Sequence, residues 1–231
     1  MTKFVITIDG PGGCGKSTVA RLLADRLGFT YVDTGAMYRA VTLQVMRANI
    51  SFEDEERIVQ IAKRTPITFK KQDNSVRVFI DSEDITEPIR TPELTSNVKH
   101  IAKITRVREV LVNKQKDMAQ DGGVVMEGRD IGTVVAPNAR FKFFLEADFK
   151  ERVSRRYKEL KTDNPSIDIK DVEKELAERD KSDYLRKTGP LKLAEDALKI
   201  DTTHMTIEEV VDYIEDYVME KYSDKKNLWS A

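Results

Sequence analysis

Apolar positions repeat along this chain with two different periods, and the two alternate. Residues 4–8, Phe-Val-Ile-Thr-Ile, form a short and almost unbroken apolar run, which predicts a strand buried on both faces. From 17 to 27, Val19, Leu22, Leu23 and Leu27 fall on one stripe and Gly28 follows, predicting an amphipathic helix with a glycine stop. Residues 31–33 predict a second strand and 36–48 a second helix. Ser51 with Asp54 predicts the cap of a third helix ending near Arg64. Further buried strands are expected at 124–126, 141–145 and 198–200, and a last helix at 207–221 with a polar tail expected to fray. Five short apolar strands separated by helices predict an α/β fold built on a parallel sheet.

Two stretches break the alternation. Residues 67–69 and 76–80 alternate apolar and polar around the polar turn 72–75, as a hairpin does, and predict an inserted lobe. Thr91-Pro92-Glu93 then starts a helix with a cap, a first-turn proline and an acid, and another helix follows to about Gln120. Between 146 and 187, 24 of 42 residues are charged, too many for a core segment. That stretch predicts solvent-facing helices able to close over a ligand. There is no internal repeat and no low-complexity linker.

Charge and length narrow the picture modestly. A chain of 231 residues can bury a substantial core, as one large domain or as a core with inserted lobes. Its 39 basic and 40 acidic residues leave a net charge of −1, so nothing draws it as a whole to nucleic acid or anionic membrane. Cys14 is the single cysteine, which fits a reducing compartment. A strand-like run begins within three residues of Met1, leaving no room for a secretory leader. No apolar run approaches the roughly 18 residues of a membrane span. These features predict a soluble, cytoplasmic protein with no nucleic-acid or membrane partner; a monomer is the expectation, which these features do not themselves decide.

The candidate chemistry begins at "GPGGCGKST", Gly10 to Thr18, directly after the first strand. Gly10-x4-Gly15-Lys16-Ser17 fits the phosphate-loop pattern without a mismatch. Glycines let backbone N–H groups turn inward toward anionic oxygens, and the helix start adds its positive end. Lys16 would neutralise the β- and γ-phosphates, and the Ser17 hydroxyl could ligate magnesium. An ordinary glycine-rich turn is the alternative, and a strand before and a helix after argue against it. Cys14 occupies a free position of the loop and reads as filler rather than as a nucleophile.

What receives the phosphate is the harder question. There is no base-reading N-K-x-D segment of the GTPase kind. An alcohol acceptor usually needs a carboxylate to take its proton. A phosphate acceptor already offers an oxyanion near neutrality and needs cations instead. The arginines therefore matter: Arg39 in "DTGAMYR", Arg106 and Arg108 in "TRVRE", Arg129 with Asp130 in "MEGRDIGT", and Arg179, Asp183 and Arg186 spaced along one helix face. Singly, each could be a surface residue or a local ion pair. Asp33-Thr34 and Gly128-Arg129-Asp130, however, follow the carboxyl ends of predicted strands, where ligands bind in open α/β sheets.

Together "ITIDGPGGCGKST", "DTGAMYR", "EGRDIGTVV" and the Arg179–Asp183–Arg186 spacing resemble the bacterial type of cytidylate kinase, in that family's order and over about residues 4–217. The loop alone indicates only phosphate-loop membership; the other three together are specific. The resemblance implies phosphorylation of CMP and dCMP by ATP with magnesium, and a nucleoside monophosphate kinase fold. It implies one domain over 1–231: a core at about 1–35, 95–145 and 190–231, a monophosphate-binding region with a β insert at 36–94, and a lid with its following helix at 146–189. It implies that Gly10, Pro11, Gly12, Gly13, Cys14, Gly15, Lys16, Ser17 and Thr18 hold ATP, with Arg155 and Arg156 as lid arginines. Thr34, Arg39, Arg129 and Arg186 would surround the acceptor phosphate, Arg108 and Asp130 would face the cytosine edge, and Arg179 with Asp183 the ribose hydroxyls. Lys16, Arg39, Arg129 and Arg186 would act on the transferring group. One position departs from the family: where many relatives carry a small hydroxyl residue against cytosine, Lys99 stands, with Ser96 and Asn97 close by. His100 and His204 are isolated and are not expected to ligate metal. Two other readings stay open from the residues: a kinase of a small alcohol with Asp33 as base, and an ATP-dependent switch protein whose loop only gates conformation.

Overall fold

The computed structural model describes residues 3–72 and 75–227. Its first strand, β1 (Val5–Asp9), leads through the glycine loop into α1 (Lys16–Leu27), which Gly28 ends in a left-handed conformation. β2 (Thr30–Asp33) passes directly into α2 (Thr34–Arg47), two residues earlier than the periodicity predicts, because the Asp33 carboxylate accepts from the Ala36 N–H and caps the helix. In the same way Asp54 caps α3 (Glu55–Arg64), while Ser51 serves the preceding turn, its hydroxyl accepting from Glu53 N–H.

The inserted hairpin is present as β3 (Ile67–Gln72) and β4 (Ser75–Ile80), paired antiparallel. Half of its expected polar turn, Asp73 and Asn74, lies outside the described residues. A two-residue strand, β5 (Glu83–Asp84), extends the hairpin into a three-stranded sheet that the periodicity does not reveal. Ile67, Val78 and Ile80 turn one face of this sheet onto Val41, Ile58 and Ala62, in a cluster that also takes in Ile101, Val107 and Leu111. A 3₁₀ turn at Pro88–Arg90 leads to α4 (Pro92–Ala102), which Thr91 caps, and to α5 (Thr105–Ala119).

The chain then returns to the large sheet as β6 (Val124–Gly128), makes a π-helical turn at Ile131–Val135, and adds β7 (Phe141–Glu146). The charged stretch folds as α6 (Phe149–Asp163) and α7 (Ile169–Leu185), followed by β8 (Leu198–Asp201) and α8 (Ile207–Asn227). α8 runs past the expected stop near Lys221, since no glycine or proline ends it there. The last four residues of the expected tail lie outside the described residues.

The large sheet has five strands in the order β2-β6-β1-β7-β8, all parallel. Ile6, Ile8, Val125, Phe143 and Leu145 pack on Val19 and Leu23 of α1 and on Val211, Ile214 and Val218 of α8. Val32, Val124 and Met126 face the other way, against the π-helical turn and Val112 and Met118 of α5. Burial on both faces is why these strands read as continuous apolar runs. In the β1–β6 register Ile8 stands opposite Glu127 and Asp9 opposite Gly128, and in the β2–β6 register Asp33 stands opposite Glu127. The ends of β1, β2 and β6 therefore meet at one edge. No helix among the described residues is long and apolar enough to cross a membrane.

Candidate active site

Everything that bears on the site gathers at that edge. Gly10 must be glycine: a Cβ there would lie 2.0 Å from the Leu145 carbonyl oxygen, and its φ is +151°. α1 opens without a side-chain cap, so its first N–H groups face the loop, a ready anion cradle. Lys16 is buried and reaches back over the loop, its Nζ donating to the Pro11 carbonyl at 2.7 Å. Burial, then the nearby Arg129 charge, lowers the Lys16 pKa. Cys14 is buried as well, its thiol turned to the Pro11 carbonyl.

Ser17 is exposed at the mouth of the loop, and its hydroxyl donates to Glu127 Oε1 at 2.7 Å. Glu127 is a carboxylate in the otherwise apolar strand β6, 5 % exposed; burial and then Asp33 push its pKa up, against Lys16 and Ser17. The Thr34 hydroxyl donates to the Glu127 carbonyl at 2.8 Å. Asp33, besides capping α2, pairs with Arg39 Nη2 at 2.7 Å, so both its oxygens are engaged.

On the other side stand the arginines and acids of the second half. Arg108, 3 % exposed, donates to Asp130 Oδ2 at 2.5 Å and lies over the Tyr38 ring. Arg129 Nε donates to Asp183 Oδ2 at 2.7 Å, and Arg186 Nη1 to Asp183 Oδ1 at 3.2 Å. Arg186 also lies 3.5 Å from Asp130 and donates to the Gly189 carbonyl. Burial opposes charge on Asp183, yet Arg129, Arg186 and Arg179 hold its carboxyl below the usual range. Arg179 is exposed on α7, within electrostatic reach of Arg129, Asp183 and Arg39.

Most of the expected residues thus come together, with two differences. Arg186 is not on the helix face with Arg179 and Asp183; it follows α7 in extended backbone, and its side chain folds back onto Asp183. Arg155 is turned to the Thr202 and Thr203 carbonyls and Arg156 pairs with Glu159. Lys99 and Ser96 are exposed on α4, and the Ser96 and Asn97 side chains donate to the Glu93 carbonyl of their own helix. His100 stacks on Phe52.

Three residues escaped the sequence reading. Glu127 carried a signal, a lone acid in a buried strand just before Gly128-Arg129-Asp130. Asp9 carried the same signal at the end of β1. Arg152 carried none: it is buried under α7, donating to the Gly12 carbonyl at 2.9 Å and pairing with Asp180 at 2.7 Å. It pins the charged helices onto the loop, where Leu176 also packs against Gly12.

Comparison with known proteins shows the family. The family model described as cytidylate kinase matches residues 6–220. A cytidylate kinase of Caldanaerobacter subterraneus subsp. tengcongensis is 53% identical over 209 residues, 90% of this chain and 92% of that one. A cytidylate kinase of Desulforamulus reducens is 51% identical over 212 residues, 90% of this chain and 94% of that one. An uncharacterized protein from Eubacterium ventriosum shares the fold at a TM-score of 0.52 and 12% identity, over 94% of this chain and 99% of that one. With a phosphate loop, a strand-end Arg-Asp pair and near-complete coverage at this identity, the chain belongs to the cytidylate kinase family and is a phosphotransferase of the kinase class.

Proposed function

We propose that this enzyme transfers the γ-phosphoryl group of ATP to CMP and dCMP in line, with no protein base and no covalent intermediate. The observation that carries the reading is the cluster of buried Arg108 and Asp130 with half-buried Arg129, Asp183 and Arg186, beside buried Lys16. Such a concentration of guanidinium groups suits a second polyanion brought against the first. Two of them keep buried nitrogens that make no hydrogen bond among the described residues, Arg108 Nε and Arg186 Nη2, the latter with only its 3.5 Å ionic contact to Asp130, and so does Arg39 Nε. Buried donors of this kind are costly unless a ligand accepts from them.

In this reading the loop from Gly10 to Thr18 cradles ATP, and Arg155 and Arg156 approach it as the lid closes and excludes water. Thr34, Arg39, Arg129 and Arg186 hold the acceptor phosphate, Arg179 and Asp183 the ribose, and Arg108 and Asp130 the base. An ionised Asp130 accepts from the cytosine N4 amino group and would oppose the O4 acceptor of uracil. Ser17 with Glu127 behind it offers hard oxygens at the loop mouth, which fit magnesium; the bound ion would neutralise phosphate charge. The regions at 36–94 and 146–189 serve as monophosphate lobe and lid of one domain, in a monomeric cytoplasmic protein.

The alcohol-kinase reading is weakened because both Asp33 oxygens are committed to Ala36 and Arg39. ADP release measured against CMP, dCMP, UMP, AMP and a polyhydroxylated acid tests the assignment. Turnover with CMP and dCMP well above the others is the expected result. Preference for the alcohol, or negligible turnover with all acceptors, would overturn it.

A further inference from the structure

Asp9 ends β1 with 4 % of its surface exposed, and no role given above uses it. Its Oδ1 accepts from the Ile131 N–H at 2.9 Å and its Oδ2 from the Gly132 N–H at 2.7 Å. These are the first two residues of the π-helical turn, which starts directly after Arg129-Asp130. The opening N–H groups of a helical turn have no partner within it, and here one carboxylate satisfies two of them. At its far end the turn closes on itself, Val134 and Val135 N–H both donating to the Asp130 carbonyl. Gly132 sits tight on the same support: a Cβ there would lie 3.0 Å from Thr7 Oγ1 and 3.3 Å from both Asp9 Oδ2 and Lys142 Cδ.

We infer that Asp9 is a positioning residue for the acceptor site, holding the turn after Asp130 so that Arg129 and Asp130 present their side chains to the monophosphate. This rests on the reading of Arg129 and Asp130 as acceptor-binding residues. Asp9 acts through two backbone bonds and touches neither substrate, and with both oxygens filled it is no general base. The placement also runs against stability, as expected of a functional group. Burial, with the Asp130 charge adding, pushes the carboxyl up to about 6, while the two N–H bonds and Lys16 pull the other way. A neutral hydrogen-bonding side chain would avoid that cost, but it could not accept from both N–H groups so evenly.

Asp9→Asn keeps one acceptor and sets an amide N–H against the other backbone N–H. The expected result is a fall of about 10- to 100-fold in kcat/KM for CMP, carried by KM. The advantage of CMP over UMP narrows, and KM for ATP moves less than about twofold. Gly132→Ala pushes the turn off the same support, its Cβ crowding Thr7, Asp9 and Lys142, and is expected to give the same split, so it carries the test if Asp9→Asn does not fold. A merely structural role would lower the melting temperature and the active fraction, with KM for CMP and the CMP-to-UMP ratio unchanged; that result overturns the inference. Arg129→Ala and Asp130→Asn are measured alongside. If they raise KM for CMP while Asp9→Asn and Gly132→Ala do not, the inference falls alone. If neither of them does, the acceptor-site reading falls, and this inference with it.

Discussion

Arg129 donates to Asp183 at 2.7 Å, and this contact joins the end of β6 to α7 across 54 positions of sequence. Each side chain is 14 % exposed, so the pair is largely withdrawn from water. Removing one partner leaves a nearly buried charge uncompensated, beside Lys16 and Arg179 in the case of Arg129. Asp183→Ala is therefore expected to cost roughly 3 kcal/mol of stability. Adding Arg129→Ala to that variant is expected to cost far less than Arg129→Ala alone. Urea denaturation of the two single variants and the double checks it; additive losses would show that the two residues do not act as a pair.

Asp33 separates the two enzyme classes. Its carboxylate holds Arg39 and the start of α2, so Asp33→Asn is expected to raise KM for CMP through a displaced Arg39 and to leave kcat comparatively intact. A fall in kcat of roughly 10²–10⁴-fold at unchanged KM, the size of losing a general base, would instead favour the alcohol acceptor. Steady-state kinetics with CMP varied at saturating ATP distinguishes them.

Gly189 packs over Asp130 and Arg108, the proposed base readers. Its φ is +57°, and a Cβ would fall 1.9 Å from Asp130 Oδ2 and 2.6 Å from Arg108 Nη2. No side chain fits without displacing that ion pair or the loop. Gly189→Ala is expected to raise KM for CMP about tenfold or more, with little change in KM for ATP. Equal KM values in wild type and variant would place the loop away from the acceptor.

Asp9 also predicts a pH dependence opposite to that of most carboxylates. Its folded-state pKa of about 6 lies above its ordinary value of 3.8, so between those values the native protein binds the proton more readily than the unfolded chain. Stability from this group therefore falls as pH rises through about 4 to 6 and levels off above. The stability of wild type relative to Asp9→Asn is expected to drop by on the order of 1–3 kcal/mol across that window. Denaturation at about pH 4, 5 and 7, near the bottom, in the middle and above that window, reads this directly. A difference that does not vary with pH would mean that Asp9 ionises as a solvated carboxylate does.

Much of this molecule is local in origin and was legible as such. The apolar runs of β1, β6 and β7 and the stripe of α1 are consequences of burial on two faces or one, a property each segment carries alone. The glycine loop is legible because anion binding by backbone demands glycines at fixed spacing. Asp33, Thr34, Arg129 and Asp130 stood out because they stand at or follow strand ends. Three-dimensional packing decided the rest. That β6 lies between β2 and β1 is set by which faces the helices cover, and it is this order that brings Glu127 to Ser17 and Asp9 to Ile131 and Gly132. Arg186 stands just past its helix in extended backbone, its guanidinium received by Asp183, Asp130 and the Gly189 carbonyl, and Arg152 is buried where Gly12 and Asp180 meet. Charges withdrawn from water must find partners wherever the fold supplies them, and for Arg108 and Arg152 those partners lie 22 to 140 positions away, beyond the reach of any local pattern.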